Sequence, residues 1–257
     1  MADAAHNFGD VLGLVLAFGA TILAKRKPSR RRTYGLRRST ILAALGNALL
    51  LLVAVGGVGW EAVSRLRNPG PVHPNTVMLV AACGVVVNSV SALLFLRGNE
   101  KDANARGAFL HLASDAAVSV GVVGAGFLVR LTGHAWIDPA ASLVVSVVIL
   151  GGTWGLLRDA MNLALDAVPT HIDPEKVRAY LTQLPDVVEV HDLHIWAMST
   201  TEVALTAHLV MPHNSHAPKF LRDVCGQLHD RFQIAHSTLQ IDPAEGSGPC
   251  HLAGDHA

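Results

Sequence analysis

Five runs in this chain are apolar and long enough to cross a lipid bilayer as helices, at 4–24, 41–60, 76–96, 107–129 and 139–157. A crossing takes about 20 residues. Inside the bilayer no water is available to the backbone, so each run must satisfy its own N–H and C=O groups as an α-helix. Charge is correspondingly scarce: 16% of the 257 residues are Asp, Glu, Lys or Arg, against about 25% in an ordinary soluble chain. The deficit lies ahead of Val168-Pro169, and beyond that point the composition is that of a soluble domain. The expected architecture is therefore an α-helical polytopic membrane domain of five spans at 1–168, a small α+β cytoplasmic domain at 169–245, and a disordered tail at 246–257.

Basic residues in the connecting loops orient such a chain, because Lys and Arg accumulate on the cytoplasmic side. Placing the basic loop 25–38 in the cytoplasm puts 97–106 and everything after Leu157 there too. That side then holds twelve Lys or Arg up to Arg158, eight of them in KRKPSRRRTYGLRR, against Arg65, Arg67 and Arg130 on the other. Twelve against three settles the orientation. The main role of 25–38 is then a solvated, orientation-setting loop. The partner implied is the lipid membrane, and a formal net charge of zero gives no pull toward nucleic acid. A secretory signal peptide fits the start poorly, since no basic stretch precedes the first run. Cys83, Cys225 and Cys250 show no CxxC or framework spacing, so no disulfide is expected.

Two of the five runs break the apolar rule in the same way. HNFGD places His6 and Asp10 four residues apart, and HLASD does the same with His111 and Asp115. An ionisable group at the centre of a span costs on the order of 2.5–3.5 kcal/mol by insertion scales. Residues i and i+4 share a helix face. A single HxxxD reads as a hydrogen-bonded pair within one helix. Two copies on separate spans read as a metal site, because two imidazoles and two carboxylates make a tetrahedral N/O donor set suited to Zn²⁺. Asn47, Asn88, Ser114 and Ser119 read as interhelical hydrogen-bonding groups.

From Pro169 the pattern becomes α-β-β-α-β. DPEKVRAYLTQL opens with an Asp cap and a proline at the first helical position. VVEVHDLHIWAM and EVALTAHLVM read as strands around a turn, APKFLRDVCGQLHDRF has helical spacing, and STLQID is a last strand. Ten of the fourteen histidines lie in this part.

ADAAHNFGDVLGLVLAFGA, YGLRRSTILAALGN, HLASDAAVSVGVV, WIDPAASLVVSVVIL, VHDLHIWAMSTTEVALTAHLV and HSTLQID together resemble the cation diffusion facilitator family, membrane antiporters that exchange a divalent metal for protons. The resemblance runs along nearly the whole chain. It implies a transport site made of His6, Asp10, His111 and Asp115, and a ferredoxin-like cytoplasmic domain that forms a homodimer and binds further metal. His191, His208, His236 and Asp242 are the ligands it implies there, with His194 as a further candidate. The first of these motifs resembles the family's second span, so the family's first span is missing from this sequence. The topology agrees, since five spans with a cytoplasmic C-terminal domain put residue 1 outside at the start of a helix. The loop at 25–38 offers only basic and small residues, so the metal site some relatives carry there is not expected.

The expected function is proton-coupled efflux of Zn²⁺, with Cd²⁺, Co²⁺ or related ions as alternatives, across a bacterial cytoplasmic membrane. Zn²⁺ is both transported substrate and possible regulatory ligand. Ligation needs neutral imidazole and ionised carboxylate, so protons and metal displace one another. Histidine in the set favours zinc over manganese on softness grounds. A non-transporting metal-binding subunit is the alternative, and an intramembrane metallohydrolase is a weaker one, because no HExxH occurs. The expected protein is a secondary transporter and not an enzyme. The composition boundary also makes a direct prediction: residues 169–245 expressed alone should fold and pair. Light-scattering mass of the fragment with and without Zn²⁺ checks it, and a strictly monomeric, metal-indifferent fragment would refute it.

Overall fold

The computed structural model of the chain describes residue 13 and residues 15–68, 74–97, 103–212 and 217–243, with the backbone alone for 74, 95–97, 103–111, 114 and 217. Helix α1 (Val15–Ala24) is a short apolar helix. Among the described residues, four helices are long and apolar enough to span a bilayer: α2 (Ser39–Arg67), α3 (Pro74–Arg97), α4 (Ala103–Thr132) and α5 (Ile137–Ala164). The remaining expected run, 4–24, begins in residues outside those described. The soluble part follows as α6 (Pro174–Thr182), β1 (Glu189–Ala197), β2 (Val203–Met211), α7 (Ala217–Phe232) and β3 (Ile234–Pro243).

The long helices are inverted relative to a water-soluble bundle. Their large apolar side chains point outward: Val53, Trp60, Leu79, Leu94, Val144 and Trp154 are all exposed. Many of their buried positions are small or polar, with Ala48, Ala62, Ala81 and Ala92 beside Asn88, Ser119, Ser146 and Thr153, and a few large residues such as Ile41, Leu51, Val55 and Val129 join them. Lipid chains are as apolar as Leu, so nothing drives Leu and Val inward. Helices instead meet through small residues that let backbones approach. The closest such approach is at Gly13, where a Cβ would sit 2.1 Å from Asn47 Oδ1. Asn47 Oδ1 and Asn88 Nδ2 are buried without a hydrogen-bond partner among the described residues.

Local signals set the connections. After α4, Gly133 adopts φ +71° and its N–H donates to Val129 O at 2.9 Å, closing the helix in the left-handed region open to glycine. Helix α5 then starts with Asp138 and Pro139 in its first turn, where an acid and a missing N–H both suit a helix N-terminus.

The chain separates into two compact units. One takes residues 46–157 together with the chain up to Leu16, and the other joins Ala17–Leu45 to the chain from Arg158 onward. Within the second unit the basic loop is anchored. Arg37 Nη1 donates to Glu202 Oε2 at 2.6 Å, Arg38 pairs with Asp166, and Thr200 N–H donates to Thr40 Oγ1 at 3.1 Å. Both ion pairs are half-exposed, a setting in which a pair is worth about 0–1 kcal/mol.

The soluble part is a three-stranded sheet in the order β1-β2-β3, with β1 antiparallel and β3 parallel to β2. Alternate residues of β2 (Val203, Leu205, Ala207, Leu209 and Met211) join Val177 and Leu181 of α6 and Val224 and Leu228 of α7 in one core. Asp173 caps α6, accepting from the N–H groups of Glu175 and Lys176, with Pro174 at the first helical position. Hydrogen bonding from the Lys176 side chain, and then from its backbone N–H, holds the Asp173 carboxyl below its ordinary value. The stabilisation it gives is thus present at neutral pH and lost in acid, as pH falls through that lowered value.

Replacing fully buried Leu228 by Ala should destabilise this domain by about 2–5 kcal/mol through lost burial and a residual cavity. Val53→Ala, at a position 75% exposed on α2, should leave the same transition untouched. Thermal melts followed by limited proteolysis of the soluble part compare the two.

Candidate metal centre

The soluble site arises from a fault in strand alternation. Along β1, Val190 packs into the core, and so does Leu193, three positions on. Regular alternation allows only every second residue on one face. The register explains the exception: His191 is opposite His208 and His194 is opposite Thr206, so three steps on β1 match two on β2. This is a β-bulge, and Asp192 takes it up with φ +51°, a conformation that Asp tolerates better than most residues. Both His191 and Asp192 consequently leave the core side and join the helix-free face of the sheet.

That face already carries His208 of β2, flanked by the core residues Ala207 and Leu209, and Gln240 and Asp242 of β3, beside the core-packed Leu239 and Ile241. Parallel pairing sets His208 next to Gln240, and Val210 next to Asp242. Asp242 Oδ2 lies 3.1 Å from His208 Nδ1 and 3.5 Å from His191 Nε2. One ligand atom from each of the three lies within 4.8 Å of the others. Tetrahedral zinc with bonds of about 2.0–2.1 Å needs donors about 3.4 Å apart. Two edges of such a site are thus already set.

The supporting contacts orient these groups. Gln240 Nε2 donates to Asp242 Oδ1 at 2.8 Å, which leaves Oδ2 to the histidines. Asp192 Oδ1 is 2.8 Å from His194 Nε2, and its Oδ2 is 3.6 Å from His208 Nε2. The side chains of His191, His208, Asp242 and Asp192 are 21%, 19%, 17% and 14% exposed, shielded yet reachable from solvent. A His–His–Asp set suits Zn²⁺, which accepts N and O donors alike.

His236 is not brought to this cluster by the structure. It pairs in register with Ala204, is exposed, and meets the ring of Tyr34 edge-on at 5.6 Å. Six residues of strand, about 20 Å, separate it from Asp242. His194 points to solvent and touches the cluster only through Asp192. Asp192 and Gln240 were missed in the sequence. Strict alternation assigns Asp192 to the face opposite His191, and only its place inside HDLH hinted otherwise.

In the membrane part, His6 and Asp10 lie outside the described residues, as does the His111 side chain. Asp115 is half-buried on α4, and Ser119, one turn on, is fully buried. With Val122, Ala125 and Val129 they follow helical spacing down the inward stripe of α4.

Residues 1–163 match the family model of the cation efflux transmembrane domain, and residues 169–244 match that of the cation efflux protein cytoplasmic domain. The chain belongs to the cation diffusion facilitator family. It is similar to the metal cation efflux system protein CzcD of Cupriavidus metallidurans, 35% identical over 254 residues, 98% of this chain and 79% of that one. It is likewise similar to the zinc transporter ZitB of Escherichia coli, 36% identical over 256 residues, 98% of this chain and 81% of that one. A cadmium, cobalt and zinc/H⁺–K⁺ antiporter of Bacillus subtilis is 30% identical over 247 residues, 94% of this chain and 79% of its own. As a cation diffusion facilitator the protein is an integral membrane carrier for divalent metal cation efflux with a C-terminal soluble domain, in a family of transporters and not of enzymes.

Asp192→Asn tests the support of the soluble site. Partners of this kind typically cost about 10–100-fold in metal affinity when altered, so Zn²⁺ titration calorimetry of the domain should show a loss in that range. Gln233→Ala, which touches none of these groups, should bind as the parent does.

Proposed function

We propose that this carrier exports Zn²⁺ from the cytoplasm in exchange for protons, across the cytoplasmic membrane of a bacterium. The paired HxxxD sequences carry the reading. The four-residue spacing of each pair would set His beside Asp on a helix, and the inward stripe on which Asp115 lies supports a site within the bundle. Four N and O donors suit zinc, and the imidazoles favour it over harder ions. The names of the ZitB and Bacillus subtilis relatives, which specify zinc and H⁺, agree with that choice.

Coupling follows from the donors. A carboxylate or imidazole that carries a proton cannot ligate, so loading from the cytoplasm releases protons and reprotonation from outside releases the metal. Alternating exposure of one site to the two sides then makes the exchange obligatory. In the soluble domain His191, His208 and Asp242 would hold a second Zn²⁺ and report cytoplasmic metal, and the domain would pair two copies.

Asp115→Ala and His111→Ala should each reduce Zn²⁺ flux in proteoliposomes to the level of protein-free vesicles, while the protein still inserts. Collapsing the proton gradient should stop uphill flux by the parent. Parental flux through Asp115→Ala would remove the site assignment. A parent that binds zinc but moves none would be a metal-binding partner.

A further inference from the structure

Resting on that transport reading, we propose that Arg65 and Asp138 form an extracytoplasmic latch that ties α2 to α5 while the carrier is closed to the outside. At one end of the first unit, four helices enclose a cavity of about 80 Å³ instead of closing on small residues. Val58 of α2, Val80 of α3, Val122 of α4 and Val145 of α5 wall it. Arg65, in the last turn of α2, reaches across: Nη1 is 3.6 Å from Oδ2 of Asp138 in the first turn of α5. Glu61, one turn before Arg65, holds Nη2 at 2.5 Å and so aims the guanidinium. Asp138 is 14% exposed, whereas Arg65 and Glu61 are 42% and 51% exposed.

The basic-residue count puts this end on the outer side, opposite the loop at 25–38. An ion pair can bias a conformational equilibrium only by the difference in its strength between the two states. The cavity wall shields Asp138, 14% exposed, so its end of the closed pair is less screened than a hydrated carboxylate, while Arg65 keeps solvent contact. When α2 and α5 part, water enters and hydrates both charges, and the attraction largely disappears. The pair therefore favours the outward-closed state, in which the metal site faces the cytoplasm. Asp138 would also stabilise the start of α5 as a first-turn acid, so the test must separate pairing from helix capping.

Arg65→Gln and Asp138→Asn are compared with the reversed pair Arg65→Asp/Asp138→Arg in the full chain. Zn²⁺ supplied to the cytoplasmic face of proteoliposomes gives KM. A Ser142→Cys probe in a cysteine-free background, labelled from outside by a membrane-impermeant thiol reagent, gives the opening of the cavity. Each single variant should raise KM at least about fivefold, a typical coupling between sites, and should label faster. The reversed pair should restore both, although it leaves no acid in the first turn of α5. Unchanged KM and labelling in the single variants, or a reversed pair that behaves like them, would overturn the latch. Arg65→Lys keeps the charge without the planar fork; if the neutral variants do not insert, faster labelling of this variant supports the latch and parental labelling overturns it. Labelling requires no flux, so a parent that carries no zinc removes the transport reading while the latch is still decided by the probe.

Discussion

Within a bilayer, backbone and side chains have only each other to bond with, and that scarcity of partners organises this protein. It fixes α-helix as the form of every crossing. It removes the drive to bury Leu and Val, so alanine and serine come to line the interior while Val53, Trp60 and Leu79 face outward. It also makes each intramembrane histidine or aspartate costly enough that its presence needs a reason. For His6, Asp10, His111 and Asp115 the reason we propose is cargo. On that reading a divalent cation would replace the missing water with four ligands, and protons would relieve the expense of an unloaded site. Proton and metal exchange would then follow from the solvent as much as from the ligands.

Much of this was legible in the chain because the relevant periods are short. Length and apolarity located the long helices to within a turn or two, and Asp173-Pro174 marked the start of α6, where the cap is found. The order of helices and strands after Pro169 was legible too, since each element carries its own period. What escaped depended on pairings between distant segments. Asp192 was hidden because alternation is broken by a register shift against β2. His236 was drawn in by a motif, and its register along β3 does not bring it to the cluster. The anchoring of Arg37 and Arg38 on Glu202 and Asp166 was equally invisible. A run of basic residues looks the same whether it is solvated or paired with acids more than a hundred positions away.

The same loop shows that the chain is not divided where its composition changes. Residues 17–45 keep company with the soluble part, and the ion pairs and the Thr200–Thr40 hydrogen bond lie within that unit. Each contact is weak alone. Together they make the cytoplasmic ends of the first helices answer to the domain that carries the His191–His208–Asp242 cluster.

Two donors must be neighbours to share an ion, and the protein reaches that condition by two unrelated geometries. On the transport reading a full turn of helix would supply it in the membrane, so the pair would survive any insertion or deletion outside the four-residue interval and be disturbed by rotation of the helix. In the sheet the strand register supplies it, and one surplus residue sends Asp192 to the same side as His191. Deleting Asp192 would restore even alternation, leave the strand paired and the core filled, and keep His191 opposite His208, so the three ligands would stay while the carboxylate that steadies them was lost.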